Sequence, residues 1–83
     1  MPKIAGWKKK VDTRLRKIWT FELPSGERIA KLVWSKKTSG RYSPIDIVLE
    51  VGNDVRKWTA ETIQQSFYII KKIKEEISEE IYG

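Results

Sequence analysis

Apolar and polar residues alternate along much of the first two thirds of the chain, and this pattern predicts β-strands. In 15-LRKIWTFEL-23, Trp19, Phe21 and Leu23 recur at a spacing of two, which places side chains on the same face of a strand. The segment 45-IDIVLEV-51 alternates in the same way, with its odd-numbered apolar residues turned inward. Both segments are therefore expected to lie in a sheet with one buried face.

Turn signals divide the rest of this region into further strands. The residues 24-PSGE-27 and 52-GND-54 are typical of hairpin turns. Between them, 28-RIAKLVW-34 carries apolar residues on both faces. The segment 55-VRKW-58 is a candidate last strand, and residues 5–11 form a weakly patterned candidate for the first. The pattern predicts four to five antiparallel strands.

The last third of the chain predicts one long amphipathic helix. Thr59 is a suitable N-cap, Glu61 lies in the first turn, where the helix dipole favours an anion, and Gly83 is a suitable stop. The apolar stripe of this helix consists of Ile63, Phe67, Ile70, Ile73, Ile77 and Ile81. Strands followed by a helix predict an α+β fold, with a curved antiparallel sheet followed by one long C-terminal helix packed on one face.

The predicted helix is longer than the predicted strands. About 22 helical residues extend roughly 33 Å, whereas a strand of seven residues covers about 23 Å. The last two turns, with Ile77 and Ile81, would then extend past the sheet and remain partly bare unless a second copy covered them. We therefore expect a homodimer, with a frayed helix end as the alternative. Its interface residues would be Phe67, Ile70, Lys74, Ile77 and Ile81.

Length and composition exclude several kinds of chemistry. The 83 residues provide one domain, with a basic β body over 1–58 and a helix over 59–83. The chain has no cysteine and no histidine, which excludes disulfides, Cys/His zinc sites and Ser-His or Cys-His catalysis. Asp46 and Glu50 point the same way on one predicted strand but lie about 13 Å apart, too far for an acid–base pair or a single metal. We expect no enzymatic activity, no metal and no cofactor.

Hydropathy gives an expectation for location. No apolar run reaches the roughly 18 residues that a membrane span requires, and the N-terminus lacks the apolar region of a signal peptide. We therefore expect a cytoplasmic or nucleoid-associated protein with no membrane and no small-molecule substrate among its partners. Abundant Lys, Glu and Ile without Cys are typical of thermophile proteins.

The net charge of +6 is unevenly distributed. Residues 1–58 carry 14 basic and 6 acidic side chains, whereas residues 59–83 carry 3 and 5. A basic body with a mildly acidic tail indicates a face that binds a polyanion. The alternative is a charge excess that only keeps a small domain in solution.

Aromatic residues are interleaved with the basic ones, and this combination favours single-stranded nucleic acid, because phosphates bind cations and unpaired bases stack on flat rings. Trp19 and Trp58 are expected to pack inside, while Trp34 is either a core residue or a stacking platform. The predicted contact residues are Trp7, Lys8, Lys9, Lys10, Arg14, Arg16, Lys31, Trp34, Lys36, Lys37, Arg41 and Tyr42. The alternative function is a module that docks an acidic protein partner through the same basic face.

Short motifs resemble the positive cofactor four (transcriptional coactivator) superfamily, particularly its small bacterial members. The similar segments are 6-GWKK-9, 34-WS-35, Gly40-Arg41 and 45-IDIVL-49, whereas 50-EVGNDVRKW-58 is an insertion relative to the family pattern. The resemblance implies a homodimer paired through the helix region, with single-stranded DNA or RNA lying across the β surfaces. The positions it implies for binding are Trp7, Lys8, Lys9, Trp34, Lys36, Lys37 and Arg41.

Overall fold

The computed structural model describes residues 6–40 and 43–82, with side chains as far as residue 80. Its elements are β1 (Gly6–Asp12), β2 (Arg16–Glu22), β3 (Arg28–Lys36), β4 (Ile45–Val51), β5 (Asp54–Ala60) and α1 (Ile63–Tyr82). The strands form one antiparallel sheet in the order β1-β2-β3-β4-β5. The α+β class predicted from the sequence is confirmed, and the candidate first and last strands are both present.

The strand register separates the sheet into two faces. Trp19, Leu32 and Leu49 are cross-strand partners in β2, β3 and β4, and all three are buried. We call the face that carries them the helix side, because α1 packs on it, and the opposite face the open face. The core of the helix side consists of Trp19, Phe21, Ala30, Leu32, Trp34, Ile45, Ile47, Leu49, Ala60, Ile70, Ile73 and Ile77.

Two hairpins turn at glycines with positive φ. In the β2–β3 turn, the amide of Gly26 donates a hydrogen bond of 2.8 Å to the carbonyl of Leu23, and Gly26 then takes a φ of 94°. In the β4–β5 turn, Gly52 is the first of two turn residues and has a φ of 60°, as a type II′ turn requires. Side chains other than glycine are strained at such angles, so these residues fix the register of both hairpins.

The helix begins three residues later than its predicted N-cap allows. Thr59 lies in β5 opposite Asp46, so the prediction that it caps the helix is wrong. Thr62 is the cap instead, because its Oγ1 accepts a hydrogen bond of 3.1 Å from the amide of Gln65. The Gln65 side-chain oxygen in turn accepts a hydrogen bond of 3.0 Å from the amide of Glu61, which precedes the helix. The spacing Thr-x-x-Gln is the variant of the capping box that marks this start.

The helix lies over β4 and β5 and does not leave Ile77 bare, contrary to the expectation from its length. Ile77 is 6% exposed and belongs to the core of its own chain. The buried part of the helix is shorter than the whole helix. The buried stripe runs from Ser66 to Ile77, a rise of eleven residues or about 17 Å along the helix axis. A seven-residue strand is longer, at about 23 Å.

One buried hydrogen bond between side chains joins the helix to the sheet. The indole Nε1–H of Trp34 in β3 donates to Ser66 Oγ at 2.8 Å, and the Ser66 hydroxyl donates to the carbonyl of Ile63 at 2.6 Å. Trp34 is 2% exposed and Ser66 is fully buried. This pair fixes the position of the first turns of α1 on the sheet.

Ser66→Ala is therefore expected to lower the free energy of unfolding by about 1–3 kcal/mol, because it leaves the indole N–H of Trp34 buried without an acceptor. Chemical denaturation monitored by circular dichroism measures this loss. Ser78→Ala is the control, since Ser78 is a partly buried serine farther along the same helix. Equal effects of the two substitutions would contradict the role given to Ser66.

Candidate nucleic-acid interface

The lysines predicted to bind phosphates on β1 already have carboxylate partners. Lys10 Nζ lies 2.9 Å and Lys8 Nζ 3.8 Å from Glu22, and Lys9 Nζ lies 3.4 Å from Asp12. A bulge in the β1–β2 pairing at Lys10 breaks the simple alternation of β1. Three of the predicted phosphate ligands thus form ion pairs within the chain, but the two carboxylates are shared among four lysines, Lys17 included, so the cluster keeps a net positive charge.

The pKa values of both partner carboxyl groups are lowered. The hydrogen bond from Lys10, followed by that from Thr20, lowers the pKa of Glu22, and the charge of Lys8 adds to this effect. Thr20 donates to Glu22 Oε2 at 2.9 Å, and both residues are buried. For Asp12, the hydrogen bonds from Lys17 and then Lys9 lower the pKa.

When the pKa of a carboxyl group is lowered in the folded state, the free energy of unfolding depends on pH in the acidic range. The stabilising contribution of Glu22 is fully present above its ordinary pKa of 4.5 and is lost as the pH falls through the lowered value. Glu22→Gln is therefore expected to be less stable than the parent protein at pH 7, with a difference that shrinks below pH 4.5. Urea denaturation from pH 7 to pH 2 tests this, with the exposed Glu27→Gln as the control. A difference that does not change with pH would contradict the ion-pair explanation.

The open face carries charge but no aromatic ring among the described residues. Its centre is a row of partly buried aliphatic side chains, Val11, Ile18, Val33 and Val48, which are cross-strand partners. Three predicted contact residues, Lys8, Arg16 and Lys31, lie on this face beside the row, and Asp46 and Glu50 lie there as well. An open depression of about 390 Å³ borders Lys31; its lining includes Thr20, Arg28, Ile29 and Glu50. The face therefore offers cations for phosphates but no described surface for stacking.

The two tryptophans predicted to stack on bases lie on the helix side. Trp34 is a core residue, so the question that the sequence left open is answered, and the prediction that it contacts nucleic acid is wrong. Trp7 is only partly exposed and packs edge-on against Phe21, with 5.3 Å between ring centroids and 82° between planes. The register places Trp7 opposite Phe21 in β2, which directs its ring to the core.

Four other predicted cations are brought together at one end of the sheet. The amide of Lys36 donates a hydrogen bond of 2.9 Å to the carbonyl of Leu15, which joins the end of β3 to the β1–β2 turn. We call the group Arg14, Arg16, Lys36 and Lys37 the basic end. Unlike the lysines of β1, none of them takes part in an ion pair between described residues. Arg41 and Tyr42, predicted for the adjoining loop, lie outside the described residues.

The β1–β2 turn that carries part of the basic end is well ordered by hydrogen bonds. Thr13 N donates to the carbonyl of Arg16 at 2.8 Å, and the Arg16 amide donates to Thr13 Oγ1 at 2.9 Å. These bonds close the turn over Arg14 and Leu15. The backbone positions of Arg14 and Arg16 are therefore fixed relative to Lys36 before any ligand binds.

Lysine side chains cover tryptophan rings on the helix side of β2 and β3. Lys9 Nζ and Lys74 Nζ lie 5.6 Å and 4.6 Å from the ring centroid of Trp19. Lys17 Nζ lies 5.6 Å from the ring centroid of Trp34. Such distances are typical of cation–π contacts. The main contacts of the helix are with β4 and β5, and the aliphatic parts of these lysines, including Lys74 of the helix, cover the rings beside it.

An exposed aromatic ring borders these lysines. Phe67 on α1 is 41% exposed and lies parallel to Trp34, with 5.9 Å between centroids and 1° between planes. We call Lys9, Lys17, Lys74 and Phe67 the tryptophan–lysine surface. Burial, with a smaller effect from the nearby Lys9 charge, lowers the pKa of Lys74.

The tryptophan–lysine surface combines residues that are not recognisable as one unit in the sequence. Lys17 was missed, although it has the same parity as Trp19 and so shares its face. Phe67 and Lys74 were assigned to a dimer interface, and their approach to β2 and β3 depends on the placement of the helix. Two other members of the predicted dimer interface, Ile70 and Ile77, are buried in the core of their own chain and are not available to a partner. The side chain of Ile81 lies outside the described residues.

Comparisons with protein-family models, with curated proteins and with solved structures found no match to this chain. The resemblance to the positive cofactor four superfamily therefore stays a prediction. In the described part of the chain, no helix combines the length and the apolar character needed to cross a membrane. The same residues contain no group of three or more acidic side chains arranged to hold a metal ion.

Proposed function

We propose that this protein is a non-enzymatic binding protein for single-stranded nucleic acid, with its phosphate contacts made by the basic end. The observation that supports this proposal is the Leu15–Lys36 hydrogen bond, which gathers Arg14, Arg16, Lys36 and Lys37 at one end of the sheet. Cations without carboxylate partners release the counterions of a nucleic acid when they bind its phosphates. The lysines of β1 are less suited to this role, because each of them already forms an ion pair with Glu22 or Asp12.

The opposite end of the molecule favours a short contact over a long duplex footprint. The hairpin turns β2–β3 and β4–β5 lie there, and with the C-terminal half of α1 they carry Glu27, Asp54, Glu76 and Glu80. These carboxylates repel phosphates, so a duplex laid along the helix would meet an unfavourable potential. A flexible single strand can bind the basic end without following the helix.

Four phosphate contacts predict a strong dependence on salt. For a single strand, the logarithm of affinity should fall against the logarithm of salt concentration with a slope of about −3. Fluorescence anisotropy of a labelled oligonucleotide, measured from 50 to 300 mM salt, determines this slope. Absence of binding at 50 mM salt, or a slope near zero, would overturn the proposal.

Lys36→Ala with Lys37→Ala is expected to reduce the magnitude of the slope by about 1.4 and to weaken binding about 25-fold at 0.1 M salt. Arg28→Ala with Arg56→Ala is the matched control, because it removes the same charge from exposed residues at the opposite end. Equal losses for the two double variants would show that only net charge matters and would contradict a basic-end site.

A docking module for an acidic protein partner is the second candidate, and the lack of described aromatic rings on the open face favours it. Comparison with a base-free polyanion separates the two functions. Polyphosphate of matched charge should bind much more weakly than the oligonucleotide if bases contribute by stacking. Equal affinity would favour the acidic partner.

Self-association is a separate part of the proposal. Because Ile70 and Ile77 pack within the chain, a homodimer would have to use another surface than the predicted stripe. Light scattering over a range of protein concentrations measures the oligomeric state. A monomer at every concentration would exclude the homodimer without affecting the nucleic-acid proposal.

A further inference from the structure

The two faces of the sheet offer a bound strand different paths away from the basic end. We infer that the strand follows the helix side, over the tryptophan–lysine surface, and does not cross the open face. This inference rests on the proposed function, and it assigns contacts to Lys17, Lys74 and Phe67, with Lys9 beside them.

The open face is a poor continuation for a single strand. From Arg16, the cross-strand neighbours are Ser35 and then Asp46, so a strand that crosses the sheet in this row meets a carboxylate on β4. In a parallel row, Lys31 has Glu50 as its direct partner. The apolar row between them is aliphatic, and aliphatic side chains do not provide the flat surface on which bases stack.

The helix side has the opposite character. Lys17 follows Arg16 directly in β2, and alternation turns it to the helix side, so the basic end continues onto this surface without a gap. Lys9, Lys17 and Lys74 surround the rings of Trp19 and Trp34, with Asp12 as the carboxylate that pairs with two of them. Lysines held against rings lose less freedom on binding than free ones.

Phe67 supplies a place for a base to stack. One side of its ring lies parallel to Trp34, and Trp34 is fixed by its hydrogen bond to Ser66. With 41% of Phe67 exposed, a base can extend this pair of rings on its outer side. A ring that is already held in position binds a base at a low cost in conformational freedom.

Lys74 gives independent support for an anion on this surface. Its ammonium group shares Trp19 with that of Lys9, and no carboxylate among the described residues forms an ion pair with it. Burial and the Lys9 charge lower its pKa, so the free protein holds this cation in an unfavourable environment. A phosphate between the two lysines would compensate for their repulsion and raise the pKa of Lys74.

Two pairs of neighbouring residues on α1 provide matched tests. Lys74→Met is expected to weaken oligonucleotide binding about fivefold at 0.1 M salt, as one lost phosphate contact predicts. Lys72→Met should leave it unchanged, although Lys72 also lies over an aromatic ring, that of Tyr68, with 5.7 Å to its centroid. Phe67→Leu is expected to weaken binding about tenfold through lost stacking, whereas Tyr68→Leu, at a residue that is 61% exposed, should have no effect.

Lys31→Met tests the competing path across the open face, and thermal unfolding confirms that each variant is folded. Phe67→Tyr should bind the oligonucleotide as tightly as the parent protein, because it keeps the aromatic ring. Comparison with Phe67→Leu then separates lost stacking from lost packing. Weaker binding for Lys31→Met, with Lys74→Met and Phe67→Leu unchanged, would overturn the inference in favour of the open face. If none of these variants changes binding, the strand stops at the basic end and the inference is also overturned.

A failure of the proposed function gives a different result. In that case the parent protein does not bind the oligonucleotide at 50 mM salt, so the variants have no binding affinity to compare. Side-chain nitrogen NMR of Lys74 adds a readout that a merely structural role would not change. Its pKa should rise when the oligonucleotide is added, and an unchanged pKa in the presence of bound oligonucleotide would contradict the inference.

Discussion

A single α-helix about 10 Å wide covers about two strands of a sheet whose strands lie about 4.8 Å apart. This sheet has five strands, and its only described helix lies over β4 and β5. The large rings on β2 and β3 therefore need cover from side chains that lie beside this helix or reach out from it. Lys9, Lys17 and Lys74 provide it, since each places its ammonium group over a tryptophan. The distribution of charge on this protein follows from how its core is closed.

The positive charges consequently fall into two groups with different availability. One group covers tryptophan rings or forms ion pairs with the carboxylates of Asp12 and Glu22. The other group lies at the basic end, where a backbone hydrogen bond between Leu15 and Lys36 sets its spacing. Net charge counts both groups equally. The second group can bind a polyanion without the loss of an existing ion pair.

Much of the fold could be predicted from the sequence because alternation is a local property. The strands around Trp19 and over 45–51, and the amphipathic helix, have the expected periods. The N-cap was misplaced because Thr59 suits a strand as well as a cap, and cross-strand pairing with Asp46 decided between them. In such a case local propensity is a weaker guide than tertiary context.

The candidate site was less accessible to prediction, because it depends on contacts between residues that are distant in sequence. The segment 28–34 of β3 has apolar residues on both faces, so its pattern did not decide whether the face with Trp34 is buried. The hydrogen bond to Ser66, thirty-two residues away, identifies Trp34 as a core residue. The bulge at Lys10 has no pattern that marks it in the sequence, yet it changes the facing of the β1 lysines relative to Glu22. The sequence therefore indicates which basic and aromatic residues could bind a ligand better than it indicates which of them are buried or already paired.

The position of Lys74 shows why stability and binding need not favour the same side chain. Burial and the Lys9 charge lower the pKa of the partly buried Lys74, so its charged form is disfavoured in the free domain. The cation–π contact with Trp19 offsets part of this cost. An anion bound between Lys9 and Lys74 would offset more, because it removes the repulsion between the two ammonium groups. Lysines that cover the core of this domain thus repel one another in the free protein. A bound polyanion would reduce that repulsion.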